Sequence, residues 1–247
     1  MLSAISPTAD ADRKSTLGIL LALIFLSFFG TLTLSASMSP ESYDWRYQVV
    51  STLLSPRDNP DHHRLAAAGL GLSGVLTLPL VEHLRRYLKT IAPRRARVSA
   101  AAFISGIIAL ICACFVVPRD ADATFGIERL HEFLGRSAAG FLAIGMVCAC
   151  WCTWQRLTQV SFALAWVWSV VTILPLTGLF LSKALLLLTR AEPSWATPIR
   201  DALRDSVFWY LGFWEWSGAA SVFVFLCATV FLTPAQAQMV TAPSTRL

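Results

Sequence analysis

The stretch EHLRRYLKTIAPRRARVSAAAFISGIIALICACFVV, residues 82–117, decides the class of this fold. Its first half crowds Arg85, Arg86, Lys89, Arg94, Arg95 and Arg97 into one short segment, and its second half, 98–117, carries no charge at all. An uncharged apolar run of about 20 residues is the length of a helix crossing the bilayer hydrocarbon. A dense basic segment at its entrance is the usual mark of the cytoplasmic side.

Apolar runs of this kind recur along the chain, and six spans are expected, near 17–34, 65–81, 98–117, 133–151, 162–188 and 207–232. The composition agrees. Of 247 residues, 55% are hydrophobic and 14% charged, with a mean hydropathy of +0.60. Soluble domains carry about 25% charged residues. No run of short alternating segments suggests a membrane barrel, so the expected fold is all-α, a single six-span membrane domain. The net charge of +5 does not imply nucleic acid, because much of the basic excess sits in the one loop quoted above.

An even number of spans puts both termini on one side, with the basic loop. That side is expected to be the cytoplasm, in a multi-pass protein of the cytoplasmic (plasma) membrane. Segments 35–64, 118–132 and 189–206 then form the outer loops. A cleavable signal peptide is the rival for the first span, but its apolar run exceeds the roughly 7–15 residues of a signal core. The acids are skewed. Only Asp10, Asp12 and Glu82 fall on the basic side, and every other one falls opposite. Carboxylates hardly set topology, so the skew points to polar work on the outer face.

Small residues line several spans, as in AAAGLGLSG (66–74) and GRSAAGFLAIG (135–145), where they let helices approach closely. Gly69, Gly71 and Gly74 form G-x-G-x-x-G, but with no preceding strand they read as packing rather than as a dinucleotide loop. The cysteines lie in or at the ends of spans, and C-x-C pairs on a helix point apart. They are expected to be apolar fillers without a structural disulfide.

Three charges fall inside the spans: Arg136, Lys183 and Glu215. Glu215, in FWYLGFWEWSGAAS, lies about 12 Å past the start of its span at 1.5 Å per residue. A carboxylate at that depth is costly without a partner and marks function by default, so a pair with Lys183 or Arg136 is expected. Structural bonding to a neighbouring helix is the plain alternative, with the surrounding Trp209, Tyr210, Trp214 and Trp216 as an interfacial belt.

The outer loop SPRDNPDHHRL (55–65) sits just above this layer. Before it, YDWRYQVVSTLLS places Val50 and Leu54 on one helical face and Ser51 and Ser55 on another, as in a short helix lying in the interface. A second loop, PRDADATFGIERLH (118–131), echoes the first. Two chemistries suit these residues. Asp61, His62, His63, His131 and Glu132 are candidate ligands for a divalent metal such as zinc, which would polarise an ester or activate water. No H-E-x-x-H spacing supports it. Alternatively Arg57, Arg119, Arg129 and Arg136 can fork onto phosphate oxygens, with Glu215, Lys183 and Ser51 completing a polar layer for a lipid headgroup. Taken singly, Glu128, Glu132 and Arg136 are equally an ordinary i,i+4 helix start.

The run YDWRYQVVSTLLSPRDNPDHHRLAAAGLGLSG (43–74), with IERLHEFLG (127–135) before the fourth span, resembles the DRAM- and Sfk-type six-helix membrane proteins and their bacterial relatives. The resemblance implies six helices and, for some members, roles in lipid remodelling, lipid asymmetry or autophagy. It supplies no catalytic residues, and neither His62-His63 nor FWEWSG matches it. The expected function is binding or remodelling of a lipid headgroup in the outer leaflet, with membrane lipids as partners and no required cofactor. The alternatives are a non-catalytic interaction protein, whose submerged charges pair with a partner's span, and a metal-dependent membrane hydrolase.

Overall fold

The structure, a computed structural model, describes residues 7–40, 42–116, 130–190 and 195–231. It is all helix, with no strand among the described residues. The chain runs α1 (Pro7–Phe25), a π turn (Leu26–Gly30), α2 (Thr31–Ser37), the short α3 (Val50–Leu53), α4 (His63–Lys89), α5 (Pro93–Phe115), α6 (Leu130–Val160), α7 (Phe162–Arg190), α8 (Ala196–Leu203), a 3-10 turn (Val207–Trp209) and α9 (Leu211–Phe231). Six helical segments are long and apolar enough to cross a membrane, the first being α1 continuing through the π turn into α2. This is a multi-pass membrane protein built as a six-helix bundle.

Sequential spans pack side by side: α1 and α2 on α4, α4 on α5, α5 on α6, α6 on α7 and α7 on α9. The last span returns to α1 and closes the ring. Aromatic rings fill the centre. Phe103 of α5 stacks on Phe225 of α9 at 5.7 Å, and Trp168 of α7 lies 5.7 Å from the same ring. Leu80, Met146 and Leu176 pack around them, while Ile19, Leu72, Ile108, Val147 and Val167 face outward. Lipid gives no hydrophobic push between such helices, so close backbone approach has to hold them.

Glycine supplies that approach at two seams. A Cβ on Gly145 of α6 would stand 2.7 Å from the Phe103 ring, and Ser99 of α5 donates to the Gly145 carbonyl at 2.8 Å. On α4, a Cβ on Gly69 would run into the Thr31 hydroxyl and the Ser27 carbonyl. There the π turn leaves the Ser27 carbonyl to the Thr31 hydroxyl, which donates to it at 2.6 Å. Gly74 also packs, against Ile107 and Ile111, but Gly71 has open space. The G-x-G-x-x-G stretch is thus a packing face at two of its three glycines.

Helix ends depart from the sequence expectation in two instructive places. The second span continues past residue 81 through Lys89, because Glu82 bridges Arg85 and Arg86 along one face (2.6 and 2.7 Å) and carries the helix into the polar region. The last span begins at Leu211 rather than 207, after the 3-10 turn. Glu215 therefore lies about 6 Å, not 12 Å, past its helix start.

Candidate functional site

The segment between α2 and α4 folds back over the mouth of the bundle and is bound there by α9. Glu215 makes the central contact. Its Oε2 accepts the Val50 backbone N–H at 2.7 Å. Val50 opens α3, and the first N–H groups of any helix lack partners within it. The carboxylate thus caps a helix from another span, where the helix dipole favours negative charge. One turn nearer the helix start, Gly212 leaves room for the Gln48 backbone: a Cβ there would stand 2.7 Å from the Gln48 carbonyl carbon and closer still to its oxygen.

Tyr43 adds a second tie. Trp216 Nε1 donates to its hydroxyl at 2.9 Å, and the hydroxyl donates onward to the Gln48 carbonyl at 3.0 Å. Burial pushes the Tyr43 hydroxyl up to about 12, against the opposing Trp216 hydrogen bond. Gln48 Oε1 accepts the Asp44 N–H at 3.2 Å, and Tyr47 meets Tyr210 edge-on at 4.6 Å. At the exposed rim, Arg46 forks onto Asp44, and those hydrogen bonds hold the Asp44 carboxyl below its ordinary range.

Inward, the loop is buried. Leu53 and Leu54 pack on Leu32, Ala66 and Leu70. Asn59, 1% exposed, donates to Ser35 Oγ at 2.8 Å and to the Leu53 carbonyl at 3.0 Å. Ser35 in turn donates to the His62 carbonyl at 3.2 Å. An interfacial helix over 43–55 is accordingly corrected: the helix spans only Val50–Leu53, and its apolar face meets the bundle rather than lipid. Residues 38–62 behave as a plug.

Within the plug lies a cavity of about 340 Å³, lined by Ser39, Tyr43, Tyr47, Gln48, Thr52 and Asp58, with Val49 and Leu53. It is half open and mostly polar at its wall.

The expected site residues take up different positions. Glu215 lies at the plug, but its partner is a backbone amide and not a cation. Arg136, exposed on α6, pairs with Glu132 one turn away on the same helix. The Glu215–Arg136 pair is therefore not formed. Lys183 is half-buried on α7 and acts on Glu215 electrostatically, yet among the described residues it forms no ion pair. The two helices meet closely below it, where the Trp214 ring covers Gly178. Ser51 is half-buried on α3, and Arg57 is exposed. Arg119, Arg129 and most of the second outer loop, with its echo of the first, lie outside the described residues.

The five candidate metal ligands do not gather. Among the described residues no three His, Cys, Asp or Glu side chains are placed to hold a metal ion. His131 is buried, and its Nδ1–H is shared between the Ala113 and Val116 carbonyls, each at 3.0 Å. It caps the end of α5. His63 uses Nδ1 on the Pro60 and Asn59 carbonyls, 2.9 and 3.2 Å away, within its own turn. His62 Nδ1 is buried with no partner among the described residues, Asp61 is exposed, and Glu132 is bound to Arg136. The six cysteines are free.

Sequence reasoning passed over Tyr43, Gln48, Ser35, Asn59 and Gly212, which build the plug. Their partners stand far along the chain, and no local spacing signals a contact such as Val50 with Glu215. Comparison with protein-family models, curated proteins and solved structures finds no match.

Proposed function

We propose that this protein binds or remodels a lipid headgroup at the membrane face closed by the plug. One observation carries the proposal. A half-open polar cavity lies at the level where α9 begins, the level of headgroups in a spanning bundle, and a carboxylate within a span holds its wall in place. Trp45, Tyr47 and Phe208 are exposed around it, which suits the interfacial region. Lys183, without an ion pair among the described residues, supplies a positive charge beside the same wall. On this proposal the basic segment 85–97 and both termini face the cytoplasm, the plug faces outward, and the membrane is the plasma membrane. The resemblance to DRAM- and Sfk-type proteins fits a lipid-handling role.

The test is native mass spectrometry of full-length protein released from membranes, comparing wild type with Glu215→Gln and Lys183→Gln. The expected result is one lipid class retained above its bulk abundance and diminished in both variants. Bulk lipid retained equally by all three proteins would overturn the proposal. Lys183 also favours a second reading, in which it pairs with an acid in another protein's span. Crosslinking in native membranes that traps a single Lys183-dependent partner would select that reading.

A further inference from the structure

The cavity's wall carries a chemical preference of its own. Each lining group can be assigned from its hydrogen bonds. The Tyr43 hydroxyl both donates and accepts within the protein, so it is fixed. Gln48 Oε1 accepts the Asp44 N–H, and the NH₂ group has no partner among the described residues. The Thr52 hydroxyl donates its proton to the Val49 carbonyl at 2.8 Å and keeps its lone pairs. Among the described residues the Ser39 and Tyr47 hydroxyls have no hydrogen-bond partner, and each can either give or accept a proton. Asp58 adds a carboxylate. Donors and acceptors are therefore both present on the wall, and no Lys, Arg or His is among its described lining residues.

That pattern disfavours a bare phosphate. A phosphate oxygen is recognised by cationic forks or by several N–H donors, and the described lining offers no cation. A sugar fits, because every hydroxyl on it donates one hydrogen bond and accepts others. Size agrees. The cavity, about 340 Å³, is at the small end of the roughly 300–1,000 Å³ of small-molecule sites. At ~30 Å³ per water it holds about eleven waters, enough for one hexose. A lone ammonium head would leave most of it empty.

We infer that the plug cavity takes a neutral, hydroxyl-rich headgroup, one hexose of a glycolipid, rather than an anionic phospholipid. This rests on the lipid-headgroup proposal above and names the headgroup class. The shared chemistry, a hexose, has two sources: a glycolipid and free sugar.

The experiment uses full-length protein purified in a sugar-free detergent, because alkyl glycosides would occupy the site. It is offered monoglucosyl diacylglycerol, phosphatidylglycerol, diacylglycerol or methyl glucoside, and retention is read by native mass spectrometry. The inference expects the glucosyl lipid to be retained about tenfold over both other lipids. Thr52→Val and Tyr47→Phe should each cut that retention severalfold, while melting temperature stays near wild type. Phosphatidylglycerol retained as well as or better than the glucosyl lipid would overturn the sugar assignment and leave the lipid proposal standing. Methyl glucoside competing on equal terms would overturn the lipid source. No lipid retained above diacylglycerol would overturn both. Unchanged glucosyl-lipid retention in both variants would place the hexose elsewhere and overturn the cavity assignment.

Discussion

Replacing Glu215 tests the plug most directly. In Glu215→Leu the Val50 N–H loses its acceptor, and the start of α3 keeps no intrahelical partner for it. A buried donor left without a partner costs about 1–3 kcal/mol. Taking about 2 kcal/mol, the opening equilibrium of the plug rises roughly 30-fold. Glu215→Gln keeps a neutral acceptor. The loss is then the difference between a charged and a neutral hydrogen bond, about 1 kcal/mol or roughly fivefold. Amide hydrogen exchange reports this opening locally. Protection over 48–55 should fall about 30-fold in the leucine variant and about fivefold in the glutamine variant. Peptides from α5 around Phe103 should be unchanged. Equal protection of 48–55 in wild type and Glu215→Leu would refute the clamp, and with it the account of why an acid sits inside this span.

Other parts of the structure give further tests. A Cβ on Gly145 would press on the Phe103 ring; Gly145→Val should destabilise the bundle by about 1–3 kcal/mol, seen as a lower melting temperature in detergent. His131→Ala strips the Ala113 and Val116 carbonyls of their shared donor, costing about 1–3 kcal/mol in thermal unfolding, with metal content the same as wild type. The Tyr43 hydroxyl is raised from 10.0 to about 12 by burial, so the folded state holds this proton more tightly than the unfolded state. That stability is complete below pH about 10 and is lost as pH rises through about 12. Alkaline absorbance titration should show a late tyrosine signal that is lost in Tyr43→Phe, and an unchanged late signal in that variant would contradict the assignment.

The spans were legible because bilayer crossing requires an apolar run, and composition alone carries that signal. Their ends were less so. Glu82 with Arg85 and Arg86 looks like loop by charge, yet a helix can bear such a triad on its wet face. Residues 207–209 look like span by hydropathy, yet they form a 3-10 turn before α9. The plug was not legible at all. Asn59 carries no signal in its own loop, yet its buried amide reaches Ser35, 24 residues back. Val50 and Leu54 showed a face suited equally to lipid or to protein, and only the position of α4 decides between them. Histidines near a carboxylate read as ligands for the same reason: chain proximity shows residue types but not which way each ring nitrogen turns. His131 turns its Nδ1 into the end of α5.

How the charges near the plug are disposed follows from what each can reach. An acid and two cations within spans suggest mutual neutralisation, since isolated charge in hydrocarbon is costly. The helices prevent it. Arg136 and Glu132 stand one turn apart on α6 and satisfy each other locally. Glu215 points toward the returning loop and finds a helix N-terminus, a fixed partial positive charge. A backbone amide partner has a consequence that a lysine would not. The carboxylate ties down a segment of chain, so its loss loosens the cavity wall instead of merely freeing a cation. Lys183 is left beside that wall without an ion pair among the described residues, outside the lining of the cavity itself. Substituting Lys183 should therefore leave the wall in place, whereas substituting Glu215 should loosen it.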